Sequence, residues 1–232
     1  MDEVLIVPDI HGRDFWKPAL KYKGKIIFLG DYTDPYPCEE FEQEDAYQSL
    51  LQIVEFKQEN PERVTLLIGN HEMHYYNEYY ACSRFDFHYF DRYNAILMGK
   101  ETSDLFQVCK QIDNYLFIHA GIIKGWYDVH LKELSKLGKT LEEQLNKFFF
   151  TNRRAFFEVS RSRGGYHSAG SPLWADLLEH FNETVHFNNE IIQIIGHTRL
   201  TDKDPVIMDN VWMLDNQKLY LLKNNELEKY IV

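Results

Sequence analysis

Five short apolar runs in this chain each reach an Asp, Asn or His within three residues of their end. "VLIV" leads to Asp9 and His11, "IIFLG" to Asp31 and Asp34, "VTLLIG" to Asn70, His71 and Glu72, "YLFI" to His119 and "IIQIIG" to His197. Polar groups are costly inside a core without partners, so strands release them at turns, and one isolated Gly-Asp or Gly-His is an ordinary turn residue. Five strands doing the same thing point instead to convergence. The carboxyl ends of strands in a parallel-type sheet share one edge, and such folds bind ligands there. Gly30, Gly69 and Gly196 stand where tight turns would leave room beside those side chains.

Asp9, His11, Asp31, Asn70, His119 and His197 offer oxygen and imidazole nitrogen and no sulfur. That donor set suits manganese, iron or zinc better than calcium or a structural thiolate zinc. Six donors exceed what one open catalytic ion needs, but they suffice for two ions sharing a carboxylate. A pair about 3.5–4 Å apart favours in-line displacement at phosphorus. Cys38, Cys82 and Cys109 are odd in number and contain no CxxC, which predicts free thiols in a reducing compartment.

A chain of 232 residues can bury one substantial core, and no linker or repeat interrupts it, so residues 1–232 read as a single domain. "EVLIVP", "KIIFLG" and "RVTLLIG" are buried strands by composition, alternating with a helix in "EEFEQEDAYQSLLQIVEFKQENP" that carries Tyr47, Leu50, Leu51, Val54 and Phe56 at helical spacing. This alternation predicts an α/β fold with a mostly parallel sheet. A helical segment at about 124–190 includes "TLEEQLNKFFF", which opens on a Thr140–Glu143 capping box. "SRSRGGYHSAGSP" is a Gly/Ser-rich loop, and the last strands, separated by "DN" and "NN" turns, predict a β-meander.

The formal charge of −11 argues against a nucleic-acid partner. The acidic start and short first apolar run do not form a signal peptide, and no stretch approaches the ~20 apolar residues of a membrane span. These features predict a soluble, cytoplasmic protein with no membrane partner.

The ordered motifs PDIHG (8–12), GDYTD (30–34), GNHE (69–72), HAG (119–121) and GHT (196–198) resemble the calcineurin-like metallophosphoesterases, closest to the Ser/Thr phosphoprotein phosphatase and diadenosine tetraphosphatase branch. The resemblance implies two packed mixed β-sheets flanked by helices, a four-layer αββα fold. It implies that Asp9 and His11 hold one metal, that Asn70, His119 and His197 hold another, and that Asp31 bridges them. His71 would be the general acid, oriented and kept protonated by Asp34. The activity implied is hydrolysis of phosphomonoesters, from a phosphoprotein or a small metabolite, by in-line attack of a hydroxide held between two Mn, Fe or Zn ions. The alternative is a dinucleoside polyphosphate or pyrophosphate hydrolase. A rival of another class is a metal-binding regulatory protein that has lost its phosphate clamp.

That clamp is where the chain departs from the family. Phosphoprotein phosphatases follow GDxxD with Arg-Gly, and this chain has Pro35-Tyr36; they carry an arginine two residues after GNHE, and this chain has His74. Phosphate still needs donors. Arg161 and Arg163 in the Gly-rich loop are the nearest candidates, with Arg13 and Arg199 beside metal motifs. His74 reads either as a substrate contact or as a surface residue. The aromatic run "HYYNEYYACSRFDFHYFDRY" reads either as a helix packing into the core or as the lining of a substrate pocket. Trp174 and Asp176 in "SPLWAD" read as structural, and Glu72 as a support for a ligand-bearing loop.

Overall fold

The computed structural model describes residues 3–183, 191–200 and 204–231. The strands in chain order are β1 (Val4–Val7), β2 (Lys25–Phe28), β3 (Val64–Leu67), β4 (Phe106–Gln107), β5 (Cys109–Ile112), β6 (Tyr115–Ile118), β7 (Ile192–Ile195), β8 (Val206–Met208), β9 (Val211–Met213), β10 (Tyr220–Lys223) and β11 (Glu226–Lys229). The α-helices are α1 (Gln43–Glu59), α2 (Asn70–Tyr76), α3 (Phe90–Leu97), α4 (Lys124–Leu134), α5 (Leu141–Thr151) and α6 (Leu177–Glu183). The chain divides into two compact units, one of Met1–Gln107 with Gln217–Val232 and one of Val108–Asn216. Each holds one mixed sheet with helices, so the α/β class predicted from the strand–helix alternation holds.

In the first unit the sheet order is β11-β10-β1-β2-β3-β4, with β1 through β4 parallel and β10 antiparallel to β1. All four residues of β1 are buried, as expected of a strand covered on both faces. Because β1, β2 and β3 are parallel, their carboxyl ends lie along one edge, and there the chain presents Asp9 and His11, Asp31 and Asp34, and Asn70. In the second unit the order is β5-β6-β7-β9-β8, with β6, β7 and β9 parallel. His119 and His197 follow the carboxyl ends of the neighbours β6 and β7.

Helix α1 ends at Glu59, before Pro61, and opens on a box in which the Glu42 N–H donates to the Asp45 carboxylate. Its buried face is Ala46, Leu50, Ile53, Val54 and Phe56; Leu51 faces solvent, because its spacing places it off that stripe. The Thr140–Glu143 box caps α5 as predicted, the Glu143 N–H donating to Thr140 Oγ1. Residues 184–190 of the predicted helical segment, and His186 with them, lie outside the described residues.

The last strands do not form a single meander. Asp209-Asn210 closes the β8–β9 hairpin and Asn224-Asn225 the β10–β11 hairpin, the latter pair at φ +50° and +65° as a two-residue hairpin turn of this kind requires. The longer connection from Leu214 to Leu219 separates the hairpins, so β9 joins β7 in one sheet and β10 joins β1 in the other. The aromatic run is likewise broken: α2 ends at Tyr76, and short 3-10 turns at Glu78–Tyr80 and Phe87–Tyr89 intervene before α3. Tyr75 and Tyr93 pack in the core at 4.5 Å between ring centroids, whereas Tyr79 and Phe87 are exposed. No disulfide joins the cysteines among the described residues. No described helix is long and apolar enough to cross a membrane.

Candidate active site

The loops after β1 and β2 are tied backbone to backbone. The N–H groups of Ile10 and His11 both donate to the Asp31 carbonyl, at 3.0 and 2.7 Å. This requires unusual backbone: His11, Asp31 and Asp34 lie at φ +48°, +52° and +58°. Each such non-glycine residue costs on the order of 1–3 kcal/mol and persists only where surrounding bonds dictate it.

Glu72 supplies many of those bonds. Its carboxylate accepts from the N–H groups of Gly69, Asp31, Tyr32 and Thr33 and from Thr33 Oγ1, at 2.8–3.3 Å. The third residue of α2 thus fixes its own first turn and the whole Asp31 loop. Burial and the neighbouring Asp31 carboxylate push the Glu72 carboxyl up to about 7, partly offset by its backbone donors.

Donor atoms of His11, Asp31 and His71 lie within 4.8 Å of one another, all three side chains being buried. Asp31 Oδ2 is 3.4 Å from His11 Nε2, and Asp31 Oδ1 accepts from the His71 N–H at 2.9 Å. His11 Nδ1 donates to the Thr33 carbonyl at 2.8 Å, which directs Nε2 towards the cluster. Burial, against the opposing pull of Asp31, holds the His11 pKa down to about 3, so the ring is neutral and its nitrogen can bind a cation. Asp9 and Asn70 are buried at the same edge, Asn70 as the first residue of α2.

Behind this cluster Asp34 gathers four donors. His71 Nδ1 is 2.7 Å from Oδ2, His74 Nε2 2.6 Å from the same oxygen, and the Tyr75 hydroxyl and Gln43 Nε2 donate to Oδ1 at 2.5 and 3.1 Å. Burial alone would raise the Asp34 pKa; the bonds from His71 and His74 outweigh it and hold the group ionised well below the usual carboxylate range. In turn, burial works against a charged His71, but Asp31 and the Asp34 hydrogen bond prevail and its pKa is raised. His74 is fully buried, which corrects its reading as a surface residue, and its ring lies between Asp34 and the Cys82 sulfur, 3.1 Å from Nδ1. Both ring nitrogens thus face protein groups, Nε2 the Asp34 carboxylate and Nδ1 the Cys82 sulfur. His71, His74 and Cys82 form a further compact donor group, but burial and the Asp34 charge push the Cys82 thiol far up, which favours the protonated thiol over a thiolate ligand.

In the second unit His119 Nε2 and His197 Nδ1 are 3.1 Å apart. Two imidazole nitrogens at that distance either share one proton or turn to a common cation. The Gly196 N–H donates to the His119 carbonyl, joining the two histidine-bearing loops, and Gln193 on β7 brackets Ile122 with a bond to its N–H and one to its carbonyl. His197 takes φ +65°, the same left-handed backbone as His11 and Asp31.

The candidate phosphate donors fare differently. Arg163 Nε pairs with Asp176 at 2.7 Å while Nη2 donates to Thr198 Oγ1 at 2.6 Å, one residue from His197. Asp176 is therefore the arginine's tether. Arg161 and Arg199 are exposed, and Arg13 is buried in a bidentate pair with Glu39. One arginine that the sequence did not single out lies against His71. Arg84 Nη2 is 2.8 Å from His71 Nε2, and its guanidinium sits 3.6 Å over the Tyr36 ring. The only sequence signal was the loss of the expected Arg-Gly pair, Pro35 standing at the arginine position and Tyr36 at the glycine position.

Among solved structures the chain is similar to a cold-active protein-tyrosine phosphatase of a psychrophilic Shewanella species, at 17% identity and TM-score 0.60 over 99% of this chain and 77% of that one. It is also similar to a protein serine/threonine phosphatase from Saccharomyces cerevisiae, at 15% identity and TM-score 0.57 over 99% of this chain and 80% of that one. At these identities the likeness shows the fold. No curated protein matches the sequence. Residues 3–198, which span every motif from PDIHG to GHT, match the calcineurin-like phosphoesterase family, and the chain belongs to that family of metal-dependent phosphoesterases.

Proposed function

We propose that this chain hydrolyses phosphomonoesters at a dinuclear metal centre. Asp9 and His11 hold one cation, Asn70, His119 and His197 the other, and Asp31 is shared. The observation that carries the reading is the His11–Asp31–His71 cluster, a buried set of nitrogen and oxygen donors within 4.8 Å of one another on a chain of the calcineurin-like family. The neutral His11 ring and the facing nitrogens of His119 and His197 suit the donor chemistry of manganese, iron or zinc. Bound there, the cations would neutralise phosphoryl charge and make a water acidic enough to act at neutral pH.

The protein's own groups do the remainder. Asp34, ionised and buried, fixes the His71 ring through Nδ1 and favours its protonated form. Arg84 Nη2 can only donate to His71 Nε2, so that nitrogen accepts in the observed pose. Once released from Arg84, His71 Nε2 takes up a proton and gives it to the departing ester oxygen. Glu72 and the left-handed loops keep the donors in place before substrate arrives, so little reorganisation accompanies the reaction.

A substrate panel with Mn²⁺ tests this: nitrophenyl phosphate, phosphopeptides, sugar and nucleoside monophosphates, diadenosine polyphosphates and phosphodiesters. Hydrolysis of the monoesters is expected. Turnover confined to diadenosine polyphosphates would reassign the enzyme to pyrophosphate bonds, and no turnover of any member would leave a metal-binding protein without this activity.

A further inference from the structure

We infer that Arg84 is the residue that grips the substrate phosphoryl group, held for that task by Tyr36. The inference rests on the phosphoesterase reading and names the donor that reading lacks. Arg84 Nη2 reaches His71 Nε2 at 2.8 Å, so the guanidinium stands where the leaving-group proton is to be delivered. Its Nε and Nη1 are shielded from solvent and have no hydrogen-bond partner among the described residues. Donors buried without acceptors are costly to leave so, and those of a cation more than most. The observed pose is therefore one the side chain gains by leaving once an acceptor with several oxygens is at hand. A phosphoryl group fits, because a guanidinium edge presents paired N–H donors to two of its oxygens.

The segment carrying Arg84 is anchored to the same carboxylate network at three points. Cys82 contacts His74, which faces Asp34. The Arg84 carbonyl accepts from Gln43 Nε2 at 3.5 Å, and that amide also donates to Asp34. The Asp86 N–H donates to the Tyr75 hydroxyl, which itself donates to Asp34. Only the guanidinium is left without fixed partners beyond His71 and the ring of Tyr36. That ring lies against Arg84 on one hand and His11 on the other, at 3.6 Å to the guanidinium carbon and 5.0 Å to the imidazole centroid. Tyr36 is thus a platform that holds the Arg84 cation beside His11 and His71.

The test uses Arg84→Gln, which keeps the stem over Tyr36, Arg84→Lys, which keeps the charge, and Tyr36→Leu, which removes only the platform. Two readouts are taken on the Mn²⁺-loaded protein: KM and kcat for nitrophenyl phosphate, and the affinity for inorganic phosphate by calorimetry. Arg84→Gln is expected to raise both KM and the phosphate Kd by about tenfold or more, the scale of one lost charge-assisted contact. Arg84→Lys should recover part of that, and Tyr36→Leu should shift both in the same direction by less. Unchanged phosphate affinity in Arg84→Gln overturns the inference. Should the wild-type protein hydrolyse no monoester, the phosphoesterase reading fails by itself, and the calorimetric comparison still decides whether Arg84 binds phosphate.

Discussion

A methyl group on Gly69 would lie 2.1 Å from Oδ1 of Asp31. Gly30 is bound by the same constraint from the other side, at φ +108° and with its own added methyl 2.5 Å from the Gly69 nitrogen. The two glycines let the turns after β2 and β3 touch, and that contact places the Asp31 carboxylate. Gly69→Ala is therefore expected to displace Asp31, to cost about 2–3 kcal/mol of stability and to lower bound metal. Denaturant unfolding and elemental analysis of the same preparation check it; a fully metallated variant as stable as wild type would refute the account.

Asp34 is the pivot of the proposed acid, His71. With four donors on one buried carboxylate, Asp34→Asn turns one acceptor oxygen into a donor facing His71, His74, Tyr75 or Gln43. The His71 ring loses the charge that raises its pKa and the acceptor that fixes its tautomer. We expect kcat to fall by about 10²–10⁴-fold, the range of a lost acid–base group, with KM changed far less. The kcat profile against pH gives a readout that a merely structural role would not move: its basic limb should shift to lower pH. A fall confined to KM would place Asp34 in substrate binding instead.

The strand ends were legible because the signal is local. A buried run followed by Gly-Asp or Gly-His states where a strand stops and what it delivers, and β1, β2, β3, β6 and β7 all stop within three residues of the Asp, Asn or His read from the sequence. What the sequence withheld depends on contacts far apart in the chain. Nothing in "ACSRFD" reveals that Arg84 stacks on Tyr36, because 48 positions separate them and the docking runs through Cys82, Gln43 and Tyr75. His74 looked equally suited to the surface, since its burial follows from Asp34 and Cys82 closing around it. The final hairpins read as one meander because turn residues mark reversals and say nothing of which sheet a strand joins. The left-handed backbone of His11, Asp31 and His197 is likewise invisible in the sequence, because Asp and His visit that region more often than most residues yet in only a small share of their positions.

His180 offers a pH test away from the catalytic chemistry. It is buried on α6, and its Nε2 donates to the Ala120 carbonyl at 2.7 Å, bracing the residue after His119. Burial lowers its pKa below the ordinary histidine value of 6.5. The folded state thus holds the ring neutral, while the unfolded chain takes up a proton near 6.5. Its contribution to stability is whole above that pH and is lost as pH falls from 6.5 through the lowered folded value. His180→Gln keeps an amide donor for Ala120 and cannot titrate. The difference in unfolding free energy between about pH 8 and about pH 5 should shrink in this variant; an unchanged difference would remove His180 from the account.

Metal content separates the carboxylate proposed to bind metal from the imidazole proposed to give up a proton. Asp31 is the group shared between the two proposed cations, and its side chain also accepts from the His71 N–H. Asp31→Asn should therefore lose at least one metal per chain and almost all activity together. His71 touches the same cluster but is tied through Nδ1 to Asp34, so His71→Asn should keep both metals and still lose kcat by about 10²–10⁴-fold. Activity on an ester with a good leaving group such as nitrophenolate should suffer less in His71→Asn than activity on an alkyl phosphate, because the better leaving group needs less proton transfer. Equal losses on both esters, or metal lost with His71, would make that histidine a ligand and leave the acid to be found elsewhere.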